Sequence, residues 1–287
     1  MSGVKWFVKG FLFLTCLMIM FPASVRALDL WAINADEFGF GTIEKFDVAT
    51  GARQQTFDVS ADGRGIAVIG NTIFFTGRNS LSVSKADATT GVVDTLPAFT
   101  LSFPVGVEAP LEISALSFDG TNFWVADYTS AANSNRAFKV ALDGTVLMTI
   151  TLSLCDVLCD GLEFFNGKLI ANRFDGGFGG DQHYDIYKTD GTLLQADFIN
   201  TSGHGFGTGI AFDGTNFFVS DITNSNITVW NGATGAFIGN MPLDITKNAI
   251  EDLSFDFART SIPEPGSALL LVTGLMGWGV VRRFTKT

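Results

Sequence analysis

Short segments of alternating apolar and polar residues recur along the chain at a nearly constant interval. SFDGTNFWVAD occupies residues 117–127, and the nearly identical AFDGTNFFVSD occupies residues 211–221, 94 positions later. EFFNGKLIAN, residues 163–172, is a shorter copy at half that interval, and IAVIGNTIFFTG, residues 66–77, is a fourth. Four copies with a period of about 47 residues indicate a repeat architecture.

Each copy predicts two short strands joined by a tight turn. Asp119-Gly120, Asn166-Gly167 and Asp213-Gly214 supply the positive φ angles that hairpin turns need. An alternating segment that ends at a glycine follows each of the four copies and also precedes the first, and these glycines are Gly51, Gly91, Gly144, Gly191 and Gly235. Their spacings of 40, 53, 47 and 44 residues fit four-stranded blades, with an insertion around residues 96–111.

The two ends of the repeat region predict how the domain closes. Residues 250–255, IEDLSF, resemble a first strand with no second strand behind it, and residues 28–34, LDLWAIN, resemble a second strand with no first. Pairing them completes one blade and removes exposed sheet edges. We therefore expect an all-β propeller of about five four-stranded blades over residues 28–260, with six blades as the alternative. A β-sandwich would leave the repeat period unexplained.

The repeats resemble the NHL and related six-bladed propeller families, whose units often run strand, Val-Ala-Asp, a polar turn with Asn, and another strand. Val125-Ala126-Asp127 with Asn135 carries this resemblance, as does Val219-Ser220-Asp221 with Asn226. Lactonase and gluconolactonase-like propellers hold a divalent metal in the central channel on Asp, Asn and Glu side chains. If such side chains converge on a channel site here, a metal-dependent lactonase or esterase is the alternative activity.

Asn34, Asp127, Asn172 and Asp221 all end predicted second strands, so we expect them at one end of the ring. Their hard oxygen atoms make them the candidate ligands of a Ca²⁺ or other divalent metal ion. The alternative is that these side chains hydrogen-bond their own turns, as Asp and Asn after a strand commonly do. On that alternative no cofactor is expected.

Other candidate chemistry is sparse. Residues 173–185, RFDGGFGGDQHYD, place Asp175, Asp181 and Asp185 among glycines but do not match an EF-hand loop. His183 is a candidate general base without a paired nucleophile, and His204 is expected in a turn. The chain lacks a nucleotide-binding glycine motif, an H-E-x-x-H segment and a G-x-S-x-G elbow. A binding or structural role is the first hypothesis, and no catalytic residue is assigned.

Cys155 and Cys159 are the only cysteines after residue 27. Four positions apart, they reach disulfide distance if the segment makes one helical turn. A zinc site would need two further nitrogen or sulfur ligands, and the only histidines are distant in sequence. We expect a local disulfide, which an oxidising compartment would preserve.

Charge excludes one class of partner. Residues 28–260 contain 12 Lys and Arg against 28 Asp and Glu, a net charge of −16. Because phosphate backbones attract basic surfaces, nucleic acid is not an expected partner.

The first 27 residues predict a secretory signal peptide. Lys5 and Lys9 precede an apolar run over residues 11–21, and Val25-Arg26-Ala27 offers a small-x-small cleavage site before Leu28. The mature domain would therefore be exported through the inner membrane.

The last 27 residues, 261–287, have a three-part order. Pro263-Glu264-Pro265 favours an extended, accessible peptide, and residues 268–281 are almost wholly apolar, on the short side for a transmembrane helix. Arg282 and Arg283 form a basic stop-transfer end that should remain cytoplasmic. An ordinary C-terminal anchor helix is the alternative.

This order resembles the PEP-CTERM sorting domain of Gram-negative bacteria, with Pro263, Glu264 and Pro265 matching its motif. The resemblance implies recognition by an exosortase, a membrane-bound processing enzyme. It also implies transient anchoring in the inner membrane and delivery to the cell surface or the exopolysaccharide matrix of a biofilm. Extracellular polysaccharide is therefore the expected partner of the domain.

Overall fold

The computed structural model describes residues 28–35, 41–60, 62–128, 135–155, 159–174, 182–241, 243 and 249–260. The predicted signal peptide and the predicted sorting tail lie outside these residues. The described ranges contain the following strands and one short helix: β1 (Asp29–Asn34), β2 (Gly41–Asp47), β3 (Arg53–Val59), β4 (Gly63–Ile69), β5 (Thr72–Gly77), β6 (Ser82–Asp87), β7 (Phe99–Thr100), β8 (Ile113–Phe118), β9 (Phe123–Asp127), β10 (Arg136–Val140), β11 (Val146–Thr151), β12 (Leu162–Phe165), β13 (Lys168–Phe174), β14 (Gln182–Lys188), β15 (Leu193–Asn200), β16 (Gly207–Phe212), β17 (Asn216–Asp221), β18 (Asn226–Asn231), β19 (Phe237–Met241), β20 (Ile250–Phe255) and α1 (Phe257–Thr260).

These strands form five antiparallel sheets of four strands, which are the blades of a ring. Blade 1 contains β20, β1, β2 and β3, and blades 2 to 5 contain β4–β7, β8–β11, β12–β15 and β16–β19. The first strand of each blade contacts the first strands of both neighbours, and the series β20, β4, β8, β12, β16 returns to β20. These five inner strands surround the central channel. The prediction of a five-bladed, all-β propeller is confirmed.

The ends of the domain close the ring as predicted. β20 pairs with β1 in an antiparallel register that runs from Leu30 opposite Phe255 to Asn34 opposite Ile250. The last strand of the domain thus supplies the inner strand of the first blade. Because this pairing joins residues more than 200 positions apart, the ring is complete only when both ends are present.

Strand alternation produces the core between the blades. On β1, Leu30 and Ala32 pack against blade 5, whereas Trp31 and Ile33 pack against blade 2. Each pair of neighbouring blades encloses one such hydrophobic cluster. Blades are therefore apolar on both faces, as a closed ring of packed sheets requires.

The predicted glycine turns adopt the conformations that the sequence requires. Gly120, Gly167 and Gly214 in the hairpins between first and second strands have φ angles of 91°, 76° and 95°. The closing glycines Gly51, Gly91, Gly144, Gly191 and Gly235 also have positive φ, between 69° and 90°. The predicted insertion lies in blade 2, where β7 has only two residues and a long connection precedes β8.

Side chains of neighbouring blades satisfy backbone groups of the inner strands. Each inner strand has a hydrogen-bonded strand on one side only, so its other edge needs partners. Asp252 accepts hydrogen bonds through Oδ2 from the backbone N–H groups of Ile66, at 3.0 Å, and Leu116, at 3.4 Å. Ser254 Oγ accepts one from the Val68 N–H at 3.0 Å. Asp252 thus fastens blade 1 to blades 2 and 3.

Glu163 plays a similar part on the other side of the channel. Its Oε2 accepts a hydrogen bond of 2.6 Å from Ser117 Oγ, and its Oε1 accepts one of 3.3 Å from the Phe212 N–H. The side chain therefore links blades 3, 4 and 5. Because it is only 2% exposed, burial raises the pKa of Glu163 to about 8. Burial also raises the pKa of Asp252 well above its ordinary value.

Candidate functional site

Ionisable side chains from four blades converge where the inner strands begin. Arg64 is the second residue of β4, and Glu251 is the second residue of β20. Glu112 immediately precedes β8, and Asp160 lies two positions before β12. Tyr128, which follows β9, places its ring 5.0 Å from the Arg64 guanidinium carbon. These five residues are the mouth cluster.

Arg64 is the centre of the mouth cluster. Its Nη1 lies 3.1 Å from Glu251 Oε1, and its Nε lies 3.7 Å from Glu112 Oε1. The four charged side chains are between 4% and 6% exposed, whereas Tyr128 is half-buried and covers the guanidinium. Three carboxyl groups thus surround one arginine in a poorly hydrated site, where charge is costly unless it is compensated.

Burial and mutual repulsion change the protonation of these groups. Burial raises the pKa of Asp160 to about 6, against the attraction of Arg64. Burial and the neighbouring Asp160 raise the pKa of Glu251 to about 8. For Arg64, burial acts to lower the pKa, but Glu251 and Asp160 outweigh it, so the guanidinium stays charged. At neutral pH the cluster therefore combines a fixed cation with at least one protonated carboxyl group.

Several polar atoms of the mouth cluster lack a hydrogen-bond partner among the described residues. They are Arg64 Nε, Glu112 Oε1 and Glu251 Oε2. The other oxygen of Glu112 accepts a 2.7 Å hydrogen bond from the Asn79 N–H, which fixes the carboxylate in position. Buried polar atoms without hydrogen-bond partners are uncommon in folded proteins, and a water molecule or a ligand hydroxyl group would satisfy them. The arrangement offers both donors and acceptors.

Two of the predicted metal ligands are engaged within their own blades. Asn34 donates through Nδ2 to Thr42 Oγ1, at 2.9 Å, and to Glu44 Oε2, at 2.8 Å. Asp127 Oδ2 accepts two hydrogen bonds from Arg136, of 2.8 Å and 2.5 Å. Both side chains tie a second strand to the third strand of the same blade.

The other two predicted ligands organise turns. Asn172 Oδ1 accepts hydrogen bonds from the N–H groups of Asp160, at 2.7 Å, and Gly161, at 2.8 Å. Asp221 Oδ1 accepts from the backbone of Phe206, at 3.2 Å, and from several donors in the following turn. Asn172 thus positions the residue that supplies one carboxyl group of the mouth cluster.

Asn34, Asp127, Asn172 and Asp221 lie at the expected end of the ring and on the expected second strands, next to the inner ones. Asp127 and Asp221, for example, stand opposite Ile113 and Gly207, the first residues of their inner strands. Within the part of the chain that the structure describes, no group of three or more His, Cys, Asp or Glu side chains is placed to hold a metal ion. The calcium site therefore stays a prediction.

The histidines contact aromatic and acidic neighbours. His183 Nδ1 lies 2.9 Å from Asp197 Oδ1, which also pairs with Arg173. Burial raises the pKa of the nearby Asp185 carboxyl. Asp175 and Asp181, the other acidic residues of the predicted calcium-like loop, lie outside the described residues. His204 stacks on the exposed Phe237 ring with a centroid separation of 3.9 Å.

Cys155 and Cys159 are joined. The structure contains a disulfide between Cys155 and Cys159, with their Cα atoms 5.9 Å apart. Both residues are buried in the hydrophobic cluster between blades 3 and 4. The disulfide lies in the connection between β11 and β12, immediately before Asp160.

Sequence patterns did not reveal Arg64, Glu112, Asp160 or Glu251 as a site. The sequence does contain a signal for three of these residues. Each of the three lies six to eight positions before the glycine of the first hairpin turn in its blade. The pairs are Arg64 with Gly70, Glu112 with Gly120, and Asp160 with Gly167. Aligning the repeats on these glycines would have placed one charged residue at the start of each of three inner strands.

Comparison with solved structures shows the fold. A chain in the crystal structure of the Nidogen/Laminin complex is similar, with a TM-score of 0.55 and 12% identity, covering 80% of this chain and 98% of that chain. Myxococcus xanthus glutaminyl cyclase gives a TM-score of 0.43 and 14% identity, covering 71% of this chain and 77% of that one. The computationally designed Ika4 protein gives 0.35 and 14%, over 60% and 91%. At 12% identity, the likeness to the Nidogen/Laminin chain extends to the propeller architecture alone.

No protein-family model matches the sequence, and no curated protein matches it. Within the described residues, no helix is long and apolar enough to cross a membrane. The apolar segment that predicts a transmembrane helix belongs to residues 261–287, outside those ranges.

Proposed function

We propose that this protein is an exported binding propeller whose ligand engages the mouth cluster. The observation that carries the proposal is the convergence of Arg64, Glu112, Asp160 and Glu251 from four blades, with unpartnered donor and acceptor atoms among them. Only the ring brings these residues together, since they are spread over 188 positions of the chain. Perturbed titratable groups in such a place are typical of functional sites.

The chemistry of the cluster favours a ligand rich in hydroxyl groups. A hydroxyl group both donates and accepts, so one that entered beneath Tyr128 would pair with the buried Arg64 Nε and with Glu112 Oε1 or Glu251 Oε2. The half-buried Tyr128 ring supplies an apolar face against which a sugar ring can stack. An anionic ligand is disfavoured, because it would face three carboxyl groups and only one arginine. These features support an extracellular polysaccharide as the partner.

The place where the described domain ends is consistent with such a role. The inner strand β20 begins at the mouth cluster and ends at the opposite end of the ring, where α1 follows it. A C-terminal tether would thus leave the domain on the far side from the mouth cluster. We propose that residues 261–287 act as a PEP-CTERM sorting tail, so the propeller would present the mouth cluster away from the membrane before exosortase processing.

A hydrolase is the second candidate, and the raised pKa values of the neighbouring Asp160 and Glu251 carboxyl groups favour it. Burial raises both pKa values, so the pair retains a proton near neutral pH. Such a pair suits general base and general acid roles. Turnover of a lactone panel that Glu251→Gln abolishes would support this candidate over binding alone.

Substitution of Tyr128 tests the binding proposal with little disturbance of the core, since this residue is the most accessible member of the cluster. Tyr128→Ala should weaken binding of cellotetraose by at least about tenfold, because it removes the stacking surface over Arg64. Isothermal titration calorimetry measures the change. Phe237→Ala, which removes an exposed aromatic ring from β19, is the matched control and should bind within twofold of the wild type. Equal affinities together with equal stoichiometries of the wild type and Tyr128→Ala would refute binding at the mouth cluster.

Replacement of the tripeptide tests the sorting proposal. In cells that produce the protein, changing Pro263, Glu264 and Pro265 together to alanine should leave the tail uncleaved and the protein in the inner membrane. Ser267→Ala, just beyond the motif, is the control and should be processed normally. Mass spectrometry of the membrane and released fractions distinguishes the two forms, and normal processing of the triple variant would disprove the tail assignment.

A further inference from the structure

A cavity lies at the seam between blades 1 and 2, at the end of the ring where the inner strands finish. It has a volume of about 410 Å³, and its walls include Asp29, Trp31, Lys45, Gln55, Asn71 and Asp256. We call it the seam groove. Volumes of about 300 to 1,000 Å³ are typical of pockets for small ligands. Its residues do not belong to the mouth cluster.

The floor of the seam groove is held in place. Trp31 stacks against Phe57, with ring centroids 6.2 Å apart, and is 4% exposed. The Lys45 ammonium lies 5.5 Å from the Trp31 ring and 2.8 Å from Asp29 Oδ2. The indole, the ammonium and the carboxylate thus form one rigid unit, with an apolar body and polar atoms around it.

The wall from blade 2 is also preorganised. Asn71 Nδ2 donates to Asp87 Oδ2 at 2.6 Å, and its Oδ1 accepts a 2.7 Å hydrogen bond from Thr89 Oγ1. Gln55 reaches across from blade 1, with its Nε2 3.4 Å from the Thr89 carbonyl oxygen. Because these contacts fix the amides before any ligand arrives, binding would require little further ordering of side chains.

The third polar wall comes from the end of the domain. Asp256 Oδ1 accepts hydrogen bonds from the N–H groups of Gly70, at 2.7 Å, and Ala258, at 3.0 Å. Two carboxylates, Asp29 and Asp256, therefore face the groove together with a single lysine that is already in an ion pair. The groove carries a small net negative charge.

This charge and polarity select one class of ligand. A phosphate, sulfate or uronate would meet two carboxylates against one paired ammonium. A purely apolar group would remove polar side chains from water without replacing their hydrogen bonds. Neutral hydroxyl groups, in contrast, donate to the carboxylates and accept from the ammonium and the amides.

We propose that the seam groove binds a neutral saccharide unit. The inference does not depend on the mouth cluster, since the two sites lie at opposite ends of the ring and share no residue. If both sites bind the same polymer, one molecule of this protein holds two segments of polysaccharide and crosslinks a matrix.

Gln55 and Gln54 provide a matched test on β3. Gln55 is half-buried and lines the groove, whereas the exposed Gln54 points to the other face of the same strand. Gln55→Trp should fill the groove and weaken cellotetraose or maltotetraose binding at this site by at least about tenfold, while Gln54→Trp stays within twofold of the wild type. Tetragalacturonate, the anionic probe, should bind the groove more weakly than the neutral probes.

Calorimetric stoichiometry separates this inference from the proposed function. The wild type should bind two neutral tetrasaccharides, and Gln55→Trp and Tyr128→Ala should each bind one. If the mouth cluster binds no tetrasaccharide, the wild type should bind one tetrasaccharide, in the seam groove, and Gln55→Trp should bind none. The inference is overturned if neither neutral tetrasaccharide binds with a Kd below about 10 mM. It is also overturned if Gln55→Trp and Gln54→Trp bind these probes equally well, or if tetragalacturonate binds the groove more tightly than the neutral probes do.

Discussion

The protein is expected to be more stable at pH 5 than at pH 8.5. Asp160, Glu163 and Glu251 have folded-state pKa values of about 6, 8 and 8, above their ordinary values of 3.8, 4.5 and 4.5. A carboxyl group whose pKa is raised by folding contributes its full stability at pH values below its pKa in the unfolded state. That contribution is lost as the pH rises to its pKa in the folded state. For Glu163 alone the loss is on the order of 3 kcal/mol, equivalent to a fall in Tm of roughly 10 °C.

Glu163→Gln tests the origin of this pH dependence. The amide keeps an oxygen that can accept from the Phe212 N–H and cannot ionise, so the variant should be more stable than the wild type at pH 8.5. Its Tm should also change less between pH 5 and pH 8.5. Asp94→Asn, at an exposed surface ion pair, is the control and should retain the wild-type slope. A wild-type Tm that rises over this pH range would contradict the burial of protonated carboxyl groups.

Gly161→Ala is expected to destabilise the ring severely. A Cβ at this position would lie 2.0 Å from the backbone carbonyl oxygen of Thr208, where blades 4 and 5 meet near the channel. Two backbones must then separate, because no flexible side chain is available to move aside. We expect a loss of at least about 3 kcal/mol in the free energy of unfolding, measured by urea denaturation.

Gly239→Ala is the matched control for this substitution. Gly239 lies in β19, where a Cβ would have no neighbouring atom within 4 Å, and its backbone does not require a positive φ angle. The same chemical change should therefore leave stability unaltered or raise it by about 0.5 kcal/mol. Equal effects at Gly161 and Gly239 would show that the inner strands of blades 4 and 5 are not in close backbone contact.

Much of the fold was predictable because local patterns determine each blade. The copies at residues 117–127 and 211–221 became the hairpins β8–β9 and β16–β17, with their Asp-Gly turns in the expected conformation. Closure was predictable for the same reason, since IEDLSF and LDLWAIN are incomplete halves of one repeat. Sequence spacing of the closing glycines also located the insertion in blade 2.

The mouth cluster was not predictable from local patterns. Arg64 and Glu251 are 187 positions apart, and their 3.1 Å contact exists only because β20 and β4 are neighbours in the closed ring. Sequence reasoning instead selected Asn34, Asp127, Asn172 and Asp221, which lie at or near the ends of the second strands and hydrogen-bond within their own blades. It identified the correct end of the ring but selected the neighbouring strand.

Crystals of the protein soaked in cellotetraose test the central claim most directly. We expect density for a sugar ring against Tyr128, with hydroxyl groups within hydrogen-bond distance of Arg64 and of Glu112 or Glu251. Density at the seam groove alone, or no density at either site at saturating concentration, would contradict the assignment of the mouth cluster as the ligand site.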